Sequence, residues 1–112
     1  MTDPSLAAEV NILAQQIAGD GANDQLQQLA ARIAEAQIDL SRIRRARHAL
    51  LSHARLDSGD KRLAGRADCI ARLAAMDRYE RRALSRRKFA IRAFDAARRQ
   101  LDASSMRNRR ED

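Results

Sequence analysis

The chain has 112 residues, with 22 Lys and Arg against 15 Asp and Glu, three aromatic residues and one cysteine. That length allows one domain with a modest core and a narrow stability margin. The lone Cys69 excludes an intramolecular disulfide, and no apolar run approaches the roughly 18 residues of a membrane span.

No cationic segment precedes an apolar one near the N-terminus, so no secretory leader is read and a cytoplasmic location is expected. Ala, Leu, Arg and Gln dominate and β-branched residues are few, which favours helix. The charge is uneven. Residues 1–40 hold one basic residue, Arg32, against six acidic ones; residues 41–112 hold 21 basic residues against nine acidic ones. A basic half of this kind suits an anionic partner, either nucleic acid or an acidic protein surface.

The first helix is predicted over 4–18. Asp3 is a good N-cap and Pro4 fits the first turn. Leu6, Val10, Leu13 and Ile17 form one apolar stripe, and Gly19 ends it. Residues 19–24, Gly-Asp-Gly-Ala-Asn-Asp, read as a loop.

A second helix is predicted over 24–55. Leu26, Leu29, Ile33, Ala36, Leu40, Ile43, Leu50 and Ala54 keep a three-four spacing, interrupted at Arg47. The stripe spans roughly 45 Å of helix and wants another helix at a shallow angle, from this chain or a second copy. Residues 57–60, Asp-Ser-Gly-Asp, mark the next break.

The third helix is predicted from residue 60 or 61. Its early stripe is Leu63, Ala67, Ile70 and Ala74. Beyond Met76 the apolar residues are Ala83, Ile91, Phe94, Ala97 and Leu101, on a face turned by roughly 150°. Either the helix breaks near Asp77, where Asp77 and Glu80 resemble a capping box, or one continuous helix buries different sides at its two ends. With no Gly or Pro there, continuity is the expectation. The domain is expected to cover 1–103, with 104–112 a basic, fraying tail. The fold class is all-α: a three-helix hairpin or bundle with two long helices, open to completion by dimerisation.

Catalytic and metal chemistry finds little support. His48 and His53 are five residues apart and diverge on a helix, and no Cys/His cluster accompanies them. Asp57 and Asp60 lack the alternating ligands of a calcium loop. No phosphate-cradling Gly motif or nucleophile elbow occurs. Neither an enzyme nor a bound cofactor is expected.

The basic segment is the informative one. Arg78 to Arg99 contains nine basic residues against Glu80 and Asp95. Arg78, Arg81, Arg82, Arg86, Lys88, Arg92 and Arg99 share half of the helical wheel, with Phe89 at the middle of that half. An exposed aromatic among arginines can stack on a base or insert into a partner; the alternative is that Phe89 packs on a neighbouring helix. Arg87 and Arg98 fall in the apolar half, where their stems cover core while their heads reach water or pair with Glu80. Arg42, Arg44 and Arg45, with Arg47, make a second cluster; in an antiparallel hairpin it would lie toward the loop end with the Arg78–Arg99 face further along, which leaves one continuous positive surface open.

Two stretches, residues 33–48 from Ile-Ala-Glu-Ala-Gln-Ile-Asp-Leu onward, and Asp77-Arg-Tyr-Glu-Arg-Arg82 with Ser85-Arg-Arg-Lys-Phe89, carry a family resemblance. Over residues 5–98 the chain resembles a family of uncharacterised alphaproteobacterial helical proteins. The resemblance transfers no activity and no functional residue; it implies only that the two arginine-rich stretches are family features. Longer members carry a further basic, Gly/Ser-rich N-terminal segment, which would hold part of any binding function.

Two functions follow as expectations. One is a non-enzymatic protein that binds nucleic-acid backbone through the basic helix face, with little base reading. The other is a helical self-assembling or protein-interaction module, its acidic and basic parts pairing between copies to give a homo-oligomer. A basic helix lying on a membrane ranks last, because its apolar half is Ala-rich and lacks Trp.

Overall fold

The structure, a computed structural model, describes residues 4–56 and 63–111. Its helices are α1 (Pro4–Ala18), α2 (Asp24–Leu56) and α3 (Leu63–Glu111), and no strand occurs among the described residues. The first turn is built as its glycines demand. Gly19 and Gly21 take φ of 78° and 77°, the left-handed region that glycine enters without a Cβ clash. The Gly19 N–H donates to the Gln15 carbonyl at 3.0 Å and closes α1. Asn23 then opens α2: its Oδ1 accepts from the Leu26 N–H at 2.9 Å, satisfying one of the orphan donors of the first turn. The N-cap expected at Asp3 and the break expected at 57–60 lie outside the described residues.

α2 is the central element. α1 packs on it along one side and α3 along another, while α1 and α3 do not pack on each other. The α2–α3 pair is antiparallel: Arg47 meets Glu80, Asp39 meets Arg86, and Gln37 meets Arg87. The stripe expected on α2 is the one that packs. Leu26, Ile33, Ala36 and Leu40 are buried, with Leu29, Ile43 and Leu50 half-buried; the Ala54 side chain lies outside those described. The core joins Ala14 and Ala18 of α1, Leu26, Ala30, Ile33 and Ala34 of α2, and Ala90, Phe94 and Ala97 of α3. Small residues dominate it, so the helices approach closely and little apolar volume is enclosed.

Along α3 the packing differs from the expected stripes. The inward seam is Cys69, Leu73, Met76, Glu80, Ala83, Arg87, Ala90, Phe94 and Ala97, each at least half-buried. Its spacing alternates four and three without a slip, the repeat of a helix lying along a partner. The helix has no break near Asp77 and no change of face. The expected stripe through Ala67, Ile70 and Ala74 points outward, and Ile70 is 66% exposed. Ile91 sits on the flank and Leu101 lies past the buried section, at 40% and 43% exposure. The cause is that Glu80 and Arg87 occupy seam positions, which hides the repeat from an apolar count. α3 also continues through residues 104–111, where fraying was expected. Every described side chain from Arg98 to Arg109 is exposed there, and Arg107 and Arg109 favour the negative end of the helix dipole.

The resulting molecule is long. Its extents are 77 × 25 × 22 Å and its radius of gyration is 20.3 Å, against about 13 Å for a compact domain of this length. Its accessible surface of 8992 Å² compares with roughly 6,200 Å² for a globular monomer of equal mass.

Candidate nucleic-acid interface

The α2–α3 register sorts the arginines into two kinds. The first are structural. Glu80, on the seam, accepts from Arg47 and lies 3.6 Å from the Nε of Arg44. Arg47, the residue that interrupts the α2 stripe, therefore faces the one carboxylate that interrupts the α3 seam. Arg87 donates to the Gln37 Oε1 at 2.7 Å. Arg98 lays its guanidinium 5.7 Å from the centre of the Phe94 ring. Among the described residues neither Arg87 nor Arg98 pairs with Glu80, which pairs across to α2 instead.

The second kind face water. Arg42, Arg45, Arg78, Arg82, Lys88, Arg92 and Arg99 are exposed and form no ion pair among the described residues. Arg81 and Arg86 are also exposed, with partners at 3.1 Å in Asp77 and Asp39. Such solvent-facing pairs hold their partners weakly, by about 1 kcal/mol or less, and leave most guanidinium donors free.

The expected basic face of α3 divides in two. Arg78, Arg81, Lys88, Arg92 and Arg99, spaced three, seven, four and seven, share the side turned away from the seam. Arg82 and Arg86 instead border a groove of about 900 Å³ between α2 and α3. Arg42 and Asp39 border it from α2; Ile43, Met76 and Tyr79 give it an apolar floor. The two arginine clusters meet here through Arg42 alone of the α2 set. Arg44 is committed to Glu80, and Arg45 lies outside the groove.

Phe89 is 63% exposed, so it does not pack on a neighbouring helix. Tyr79, which is not among the site residues expected from the sequence, is 53% exposed. The signal was present: Tyr79, Arg82, Arg86 and Phe89 are spaced three, four and three, which aligns them on one side of a helix.

Among the described residues, no three His, Cys, Asp or Glu side chains are grouped as a metal site would need, and no helix is long and apolar enough to cross a membrane. Compared with known protein families, with curated proteins and with solved structures, the chain matches none.

Proposed function

We propose that this is a non-catalytic cytoplasmic protein that binds nucleic-acid backbone through α3 and the adjoining edge of α2. The observation that carries this reading is the groove, where Arg42 from one helix and Arg82 and Arg86 from the other converge on one apolar floor. Around it stand cations with no carboxylate partner among the described residues, available to displace counterions from phosphates. Affinity then comes from charge and falls steeply with salt. The test is a gel shift with generic nucleic acid between about 50 and 200 mM salt. Binding is expected at the low end, and Arg42→Ala and Arg82→Ala should each lower the slope of log K against log salt by about one. Absence of binding at about 50 mM salt sinks the reading.

A second reading, self-association, is supported by the excess accessible surface and by Ile12 and Ile70, exposed at 59% and 66%. A stable dimer is expected to cover part of that surface. Light scattering that gives a monomer mass across micromolar concentrations overturns it.

A further inference from the structure

We infer that the groove between α2 and α3, together with the α3 face beside it, selects single-stranded over duplex nucleic acid, with Tyr79 in the groove and Phe89 beyond its edge as stacking platforms for unpaired bases. The inference rests on the nucleic-acid reading and goes beyond it, since backbone charge alone does not distinguish the two forms.

Along one side of α3 the side chains of Tyr79, Arg82, Arg86 and Phe89 run aromatic, arginine, arginine, aromatic. At the helical rise, Tyr79 and Phe89 are separated by about 15 Å. Both rings are more than half exposed, although neither has a cation–π partner or other ring contact among the described residues. An uncovered aromatic ring costs solvation free energy, and a pair bracketing two arginines offers π-faces beside phosphate-binding donors. Arg82 has no carboxylate partner among the described residues, and Arg86 spends one N–H on Asp39 and retains the rest. Arg42 closes the groove from α2.

A duplex presents phosphates and base edges, while its base faces are stacked inside. Only an unpaired strand can lay bases on Tyr79 and Phe89 as its phosphates meet the arginines between them. An acidic protein segment would satisfy the arginines but would leave both rings without planar partners. The outward cations, Arg78, Arg81, Lys88, Arg92 and Arg99, lie on the side of Phe89 away from the groove. They provide the form-independent part of the affinity.

The test uses the full chain and two fluorescein-labelled probes, a 15-nucleotide oligothymidylate and a hairpin duplex with the same number of phosphates, at about 50 mM salt. Anisotropy is expected to show the single strand bound about tenfold more tightly. Tyr79→Leu, and separately Phe89→Leu, should weaken single-strand binding roughly tenfold and leave duplex binding unchanged. Circular dichroism checks that each variant keeps its helix. Tyr79 is the sole tyrosine and there is no tryptophan, so the tyrosine fluorescence lifetime reports this site alone. Unlabelled oligothymidylate should shorten it and the duplex should not. Equal or tighter duplex binding overturns the inference, as does an unchanged lifetime in the bound complex or unchanged single-strand affinity in both variants. Poly-glutamate that competes as well as oligothymidylate, with the same loss in Tyr79→Leu, also overturns it. If neither probe binds, the parent reading fails, which is a separate outcome.

Discussion

The two ends of the α2–α3 hairpin are held by different physics. Near the start of α2, three helices contribute, and every fully buried side chain described lies within residues 14–40 or 83–97. In the stem, residues 43–53 against 65–80, α1 is absent and no described side chain is fully buried. The stem's seam carries Cys69, Leu73 and Met76, all half-buried, and the Glu80 contact with Arg44 and Arg47. One end is stabilised by burial. The other is a two-helix contact in which helix propensity and partly solvated ion pairs carry more of the load. Stability in a long hairpin therefore tracks the number of helices sharing a cross-section.

The largest test of this contrast is a pair of truncations. Phe94→Ala in the core should cost about 3–5 kcal/mol, a large fraction of a typical folding free energy. Leu73→Ala in the stem should cost about 1 kcal/mol, because the side chain is only partly buried. Urea unfolding followed by circular dichroism measures both, and equal losses would erase the distinction.

A smaller effect sharpens it. If the stem is weak because charge occupies its seam, Arg47→Leu combined with Glu80→Leu should raise stability by about 1 kcal/mol. That corresponds to about 4 °C in the thermal midpoint. Glu80→Leu alone leaves Arg47 and Arg44 facing an apolar neighbour and should lower the midpoint. A double variant no more stable than the single one would show that the ion pair, rather than apolar burial, suits the position.

The smallest is local. Asn23→Ala removes the cap of α2 and should cost about 1 kcal/mol. Because α2 supports both of the other helices, the loss should appear in global unfolding rather than as fraying. Asn23→Asp should restore most of it.

Much of this architecture was legible in the residues. The ends of α1 and the start of α2 followed from Gly19, Gly21 and the apolar spacing, which are local signals. The stripe of α2 was legible because its seam is apolar except at Arg47. That of α3 was not, because Glu80 and Arg87 sit in the seam while Ile70 and Ile91 lie outside it. A charged residue in a seam makes sense only with its partner, and the partners Arg47 and Gln37 lie on another helix. Position along the repeat was the more faithful guide than polarity, since the four-three spacing from Cys69 to Ala97 never slips. The same limit applies to the candidate site. Exposed cations were readable from the wheel, but the groove required knowing that Arg42 faces Arg82 and Arg86 across two helices.

The arrangement of strong and weak packing also bears on the order in which the chain assembles. In an ordinary hairpin, the contacts nearest the connecting turn form first and guide the rest, since short loops close at the least entropic cost. Here those contacts belong to the poorly buried stem, whereas the residues that gather Leu26 with Ala97 are the most distant in sequence along the pair. Zipping from the turn meets little reward until it reaches Ala83, and α1, joined to α2 by a short loop, can dock before α3 arrives. We expect the rate-limiting step to be capture of the 83–97 segment by a preformed α1–α2 corner, with φ values high at Ala34 and low at Leu73. The reverse pattern would place nucleation in the stem.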